Sequence, residues 1–435
     1  MTMDRIDRVL PPLFDELAAP HTPDYLEAAI ERASSRPQRP SWTFPGRWLP
    51  VQISTSATPV ARFPWRQLGV LAIIGILIAV AAIAVGSSNK PKPLPAQPFG
   101  LAENGSIAVV IDGDIATIDP ETGTTTRLTT GPDTDELPVF SPDGTQLAFK
   151  RTHDEAPGTS VLMVAAADGS GLRQATPEPL ELLNYWSFSP DGTELLMNAM
   201  VDGRMRLLIQ PVDGSAASTL DVDLPFTADR VEAASFRPPD GNEILFLSTD
   251  ASSMRGIYVF DRTSGDVRTV LAPTPGTDVF GAVWSPTGEA ISFGTYDPAD
   301  AERTARAQIA TDDGTDVRLA DGAPGTAYDI RGSEWSNDGS RFVVNREFGG
   351  ATPPQPVIVS TTGDSAPLEL ECFDPVPCAG WWVWSPDDTR LIGLVEGDTP
   401  QYVQADPVTG QVTPVEWTGN GDPAWQRTGG TAPTD

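Results

Sequence analysis

One pentapeptide, returning at a nearly constant interval, restricts what this chain can fold into more than any other feature. It reads Phe140-Ser141-Pro142-Asp143-Gly144, then Phe188-Ser189-Pro190-Asp191-Gly192. Altered copies follow at Phe236-Arg237-Pro238-Pro239-Asp240-Gly241, Trp284-Ser285-Pro286-Thr287-Gly288, Trp335-Ser336-Asn337-Asp338-Gly339 and Trp384-Ser385-Pro386-Asp387-Asp388. The aromatics lie 48, 48, 48, 51 and 49 residues apart. A fixed period of this size belongs to solenoids, arrays and propellers. Each copy is a hairpin corner: proline presets φ, aspartate tolerates the turn, and glycine supplies a positive φ.

Short β-branched and aromatic runs surround each corner. In the first unit they cover 147–150, 160–164 and 172–174; later units repeat the plan at 194–198, 205–209 and 218–220, and at 244–247, 257–260 and 267–270. With the aromatic strand before the corner, each period holds four strands. Antiparallel strands with turn signals every few residues give an all-β fold, and a four-stranded unit of this length is a propeller blade. Six corners account for six blades. Three strands at 106–110, 114–118 and 125–128 precede the first corner, and one aromatic strand, Asp422-Pro423-Ala424-Trp425-Gln426, follows the last blade. Joined, they complete a seventh blade whose innermost strand comes from the far end of the chain. Six blades is the alternative, should one altered unit not be a true blade. The ring before each corner is expected to pack between neighbouring blades, because large rings bury much area.

These corners resemble the TolB-like, or WD40-like PD40, β-propeller repeats over roughly residues 101–427. The resemblance implies a propeller and says little about activity, since such folds serve as scaffolds, sensors and enzymes.

Upstream of the repeats, residues 68–85 are all apolar or glycine. As a helix they span about 27 Å, close to the hydrocarbon thickness of a bilayer. Phe63, Trp65 and Arg66 stand at the near edge as interfacial anchors. A signal peptide would need a short basic region first, whereas 66 residues lie ahead. Arg47, Arg62 and Arg66 favour a cytoplasmic N-terminus and a propeller outside the membrane. The expected organisation is a cytoplasmic segment 1–66, a single membrane span 67–86, a proline-rich spacer 87–104, a propeller 105–427 and a tail 428–435.

Charge divides along the same line. Residues 1–66 carry 8 basic and 7 acidic side chains, and the rest carries 21 and 52, a net of −31. Such a domain repels nucleic acid and anionic headgroups, so no nucleic-acid partner is expected; it can attract cations or basic partners. Cys372 and Cys378 flank five residues and can close a small disulfide, contributing about 2 kcal/mol if unstrained. Two thiols with no nearby histidine make a poor zinc site, and no metal or cofactor is expected.

The cytoplasmic segment has pattern without bulk. Ile6, Val9, Leu10, Leu13, Phe14 and Leu17 form an apolar helical stripe interrupted by Pro11-Pro12, and Thr22-Pro23-Asp24 can start a second helix. Two short amphipathic helices suggest docking on a protein partner through Tyr25, Leu26, Ile30, Trp42 and Trp48, with the membrane surface as the competitor. The runs Thr22-Pro23-Asp24-Tyr25-Leu26, Gln38-Arg39-Pro40 and Arg47-Trp48-Leu49-Pro50 look like tails of bacterial single-pass proteins with extracytoplasmic propeller or sensor domains. Some of these resemble anti-sigma factors in layout, which would make a sigma factor the partner. The tail has His21 and no cysteine, so a zinc-type anti-sigma fold is not supported.

Catalytic kits are scarce. His21 and His153 are the two histidines, and neither a nucleophile elbow nor a phosphate-binding loop occurs. Abundant carboxylates leave a glycosidase or calcium-assisted lactonase as the enzymatic alternative. The leading expectation is a non-enzymatic sensor or interaction module, with a structural envelope scaffold as a third reading. If the propeller binds a ligand or partner, the site is the funnel mouth, where the loops enter each innermost strand. The residues three or four before each aromatic fall there: Glu136, Asn184, Tyr185, Glu232, Phe280, Arg331 and Trp381, with neighbours Asp135 and Trp382.

Overall fold

The computed structural model describes residues 94–429, apart from 155–157, 221–230, 250–253, 301–304, 321–326, 348–353, 364–365, 372–380 and 396–400. The expected cytoplasmic segment with Tyr25, Leu26, Ile30, Trp42 and Trp48, the apolar run 68–85, and the pair Cys372 and Cys378 lie outside the described residues.

The chain begins with β1 (Glu103–Ile111), β2 (Asp114–Ile118) and β3 (Thr125–Arg127). Six four-stranded sets follow, β4 (Thr134–Phe140) to β7 (Arg173–Gln174), β8 (Glu181–Phe188) to β11 (Ser218–Thr219) and β12 (Val231–Phe236) to β15 (Val267–Leu271) being the first three. The other three are β16 (Asp278–Trp284) to β19 (Arg318–Leu319), β20 (Ala327–Trp335) to β23 (Leu368–Glu369) and β24 (Trp382–Trp384) to β27 (Val412–Pro414). A last strand, β28 (Asn420–Thr428), lies beside β1 in the order β28-β1-β2-β3. The seven sheets are the seven blades expected, closed by the C-terminal strand. We number them from the β4 set as blade one to the composite sheet as blade seven. Their first strands touch around an inner ring, β28 against β4, β4 against β8, β8 against β12, β12 against β16, β20 against β24 and β24 against β28.

The core is divided into seven clusters, one per seam between blades, and each is anchored by one of the recurring aromatics. Phe140 packs with Ala108, Ile115, Leu147 and Phe149 between blades seven and one. Phe188, Phe236, Trp284, Trp335 and Trp384 hold the next five seams in turn. Trp425 holds the last with Ile107, Ile118, Ile392 and Tyr402. Burying each such ring stabilises its seam by about 1.5–3 kcal/mol. The aromatic is therefore a packing residue.

The corners explain the rest of the motif. Ser141 Oγ donates to Asp143 Oδ1 at 2.7 Å, accepts the Gln146 amide at 2.9 Å, and the Gly144 amide donates to Ser141 O at 2.8 Å. Ser189–Asp191, Ser336–Asp338 and Ser385–Asp387 repeat the hydroxyl–carboxylate bond at 2.6, 2.7 and 2.7 Å. Burial pushes Asp191, Asp338 and Asp387 up, but these hydroxyls and the following amides outweigh it and hold all three below the usual range. Gly144 has φ of +71°, and a Cβ there would stand 1.8 Å from the Arg427 carbonyl oxygen of the preceding blade.

Two departures from the motif complement each other. Asp388 occupies the glycine position of the sixth corner with φ of +58°, and Asn337 replaces proline in the fifth. Asn337 therefore has an N–H, and it donates to Asp388 Oδ1 at 2.8 Å while the Asp338 amide donates to Oδ2 at 2.9 Å. Asn337 Nδ2 adds a third bond at 2.8 Å. Asp388 is 6% exposed. Asp388→Gly relieves about 1 kcal/mol of left-handed backbone strain but deletes the clamp. We expect a net loss of about 1–3 kcal/mol in urea denaturation; a glycine variant more stable than wild type would show the clamp to be unimportant.

Candidate functional site

Inner strands end at the corners, so the loops leading into them open on the opposite, loop face. The chain itself arrives on the corner face. Ala96 N donates to Asp143 O at 2.9 Å, Gly429 N to Leu94 O at 2.8 Å and Ala102 N to Pro386 O at 2.9 Å. This segment stands where a seventh corner is missing, because the first two strands of blade seven come from opposite chain ends. From Leu94 onward, then, the segment expected to be a spacer is packed on the propeller, and Ala96 is buried. Arg427 Nη2 donates to Gln97 O at 3.2 Å and Nη1 to Asn337 Oδ1.

The expected mouth residues coincide with a bulge shared by five inner strands. Pairing slips between Glu136 and Val139, Leu182 and Trp186, Glu232 and Ser235, Phe280 and Val283, and Asp329 and Glu334. Leu137 and Gly281 take φ of +56° and +62° there. A bulge bends the strand and re-aims its side chains, so neighbouring residues meet different fates.

Asp135 is fully buried, and its carboxylate accepts Arg151 Nε at 2.7 Å and Nη2 at 2.8 Å. That hydrogen-bonded carboxylate raises the Arg151 guanidinium further. Glu136 pairs with Lys150 Nζ at 3.0 Å and keeps 46% of its side chain exposed. Phe280 is half-buried, edge-on to Tyr296 at 5.8 Å. Trp382 is only 2% exposed and belongs to the core between blades five and six. Gly393 lies flat against its indole, where a Cβ would approach to 2.8 Å. Trp381, one residue earlier, is 44% exposed. Asn184 and Tyr185 fall within the slip of β8, Glu232 at the slip of β12 and Arg331 within that of β20; their side chains lie outside the described set.

The expected mouth is thus split. Asp135 and Trp382 are internal, whereas Glu136 and Trp381 reach solvent. Sequence reasoning missed the counterpart of Asp135 in blade four. Asp278 accepts Arg255 Nε at 3.0 Å and the Tyr296 hydroxyl at 2.8 Å. Burial alone would raise this carboxyl, but Arg255 and Tyr296 outweigh it and hold it below the usual range. An aspartate ahead of an aromatic strand, with an arginine at the loop end of the second or third strand, is the signal that would have found both. Glu334 was also missed. It stands just before the corner aromatic, and its Oε2 accepts the Trp384 amide at 3.1 Å.

No family model matches the chain, and no curated protein matches it. Solved structures do. An oligogalacturonate lyase in complex with manganese is 16% identical with a TM-score of 0.53, over 68% of this chain and 84% of that one. An oligogalacturonate lyase from Vibrio parahaemolyticus is 14% identical with a TM-score of 0.54, over 72% and 86%. The β-propeller domain of the Trilobed protease from Pyrococcus furiosus, described as having an open velcro topology, is 13% identical with a TM-score of 0.52, over 74% and 100%. At such identities the likeness shows the propeller fold alone.

Proposed function

We propose that this chain is a membrane-anchored binding module. Its propeller presents the loop face outside the membrane to a ligand or protein partner, and residues 1–66 pass the signal to a cytoplasmic regulator such as a sigma factor. One observation carries the binding role: Asp135 and Asp278, buried acids near the loop-face ends of inner strands, are committed to Arg151 and Arg255. Among the described mouth residues, those facing solvent include a large aromatic, Trp381, and the flank of Glu136. That is the composition of a recognition surface, in which an exposed aromatic supplies most of the binding energy. Among the described residues no group of three or more His, Cys, Asp or Glu is placed to hold a metal ion. The membrane anchor rests on the apolar run 68–85, and the signalling step on the short helical patterns before it.

Trp381→Ala tests the surface. The variant is expected to keep its stability within about 0.5 kcal/mol, as an exposed substitution should, and to bind at least about tenfold more weakly to a partner captured by the full chain, as loss of an aromatic anchor does. Unchanged affinity would move the site elsewhere. A pull-down with residues 1–66 should retain one specific cytosolic protein, and an empty eluate counts against signalling. Turnover of glycosides or lactones by the propeller, abolished by a carboxylate substitution, would overturn the non-enzymatic reading.

A further inference from the structure

The seam between blades five and six is built differently from the others. The residue just before each seam aromatic is Val139, Ser187, Ser235, Val283, Val383 or Ala424 in the other six blades, and Glu334 in blade five. Six uncharged residues and one carboxyl occupy equivalent places in the inner ring. Glu334 ties the two blades twice: Oε2 accepts the Trp384 amide at 3.1 Å, and its backbone oxygen accepts Trp384 Nε1 at 3.2 Å.

Among the described residues no cation pairs with Glu334. Asp388, from the sixth corner, contributes a second negative charge, with its oxygens held by Asn337 and Asp338. Asp338 is bonded to Ser336 and Ser340, and Asp387 accepts Asn104 Nδ2 at 2.8 Å. Arg341 donates to Asp388 O at 3.2 Å and lies 4.7 Å over the Trp384 ring. Arg427, from the closing strand, donates to Asn337, Gln97 and Gly100. Arg341 and Arg427 are thus committed to other acceptors. Glu334 is half-buried in this seam; ionised, it would still accept the Trp384 amide but would be a charge with no counter-ion among the described residues, whereas the neutral carboxyl accepts the same bond without that cost.

We propose that this seam is a proton-operated joint: with a proton on Glu334 blades five and six are held together, and its loss loosens β24 from β20. Burial, with Asp388 adding to it, pushes the Glu334 carboxyl up to about 8, against the opposing Trp384 amide. A carboxyl raised in the folded state stabilises the fold below its unfolded value, and that contribution is lost as pH rises through the folded value. The working window is therefore about pH 4.5 to 8. Because Trp381 immediately precedes β24, the joint also sets how the loop face presents that residue; this last consequence rests on the proposed binding role of Trp381.

Thermal unfolding of the full chain and of Glu334→Gln, followed from pH 5.5 to pH 8.5, tests the joint. The glutamine keeps the amide-accepting oxygen and cannot ionise. Its melting temperature should exceed that of wild type by a margin that widens as pH rises. Hydrogen exchange at β24, corrected for the intrinsic effect of pH, should accelerate about tenfold in wild type and stay constant in the variant, a tenfold change corresponding to about 1.4 kcal/mol. Glu334→Ala should melt lower than Glu334→Gln at every pH, since it loses the Trp384 bond. Parallel melting curves for wild type and Glu334→Gln would overturn the proposal. Affinity of Trp381→Ala is a separate readout, so failure of the binding surface would leave these curves unaffected.

Discussion

A chain ending at Gly419 is expected to lose the single cooperative unfolding transition of the propeller. That truncation removes β28, the inner strand of blade seven, and with it the pairing of Glu103 with Thr428, Ile107 with Trp425 and Ala108 with Ala424. It exposes a row of unpaired groups along β1, and an open apolar edge of this kind recruits other chains. It also removes Trp425, 7% exposed, from the seam it shares with Ile107, Ile118, Ile392 and Tyr402, and frees the Leu94–Ala102 segment from Arg427 and Gly429. The milder variant Trp425→Ala keeps the strand and leaves a cavity, at a cost of about 3–5 kcal/mol. Urea denaturation followed by circular dichroism, with size-exclusion chromatography for aggregation, separates the two. A truncated chain with the wild-type transition would mean that the ring does not need its closing strand.

The second large effect is expected at Asp135. Its carboxylate is 1% exposed and the Arg151 side chain 17% exposed. Asp135→Ala leaves a guanidinium largely buried without its hydrogen-bonded carboxylate, with only the more distant Asp133 and Asp114 charges nearby, which costs about 3–5 kcal/mol. Replacing both residues by leucine should cost less than the single change, because no charge is then stranded. Glu136→Gln, one residue on, should cost under about 1 kcal/mol, since its pair with Lys150 is exposed on the acid side. Denaturation curves for the three variants test the ranking, and equal losses at 135 and 136 would refute it. The related carboxyl of Asp278 is held low by Arg255 and Tyr296. Its stabilising contribution is present above the ordinary carboxylate range and is lost as pH falls below about 4, opposite in sign to that of Glu334.

Adjacent residues with opposite fates explain how far the sequence could be read. Trp381 and Trp382 look alike in the chain, yet one reaches solvent and the other fills the seam between blades five and six. Asp135 and Glu136 look alike too, yet one is internal and the other lies on the rim. Alternation puts neighbours on opposite faces, but composition does not mark which of two like residues faces inward. These residues fall at or beside the irregular start of the inner strands, where a bulge sits in five blades. In β4, β12 and β16 one extra residue shifts the phase of the period-two pattern, and its position is not marked by composition. The same limit hid Asn337 and Asp388, which read separately as decayed corners and are in fact one clamp.

What the amino-acid sequence determined by itself was the repeat: the corner, its four strands, the count of seven and the closure by the last strand. Those follow from local turn chemistry and from spacing along one chain, both of which are printed in the order of residues. Only the tertiary structure decided which carboxylates are neutralised, which aromatic reaches solvent and why one seam carries a lone carboxyl. These depend on partners 16 to 50 residues apart that meet within a blade or across a seam, and on which way each side chain faces at the start of an inner strand.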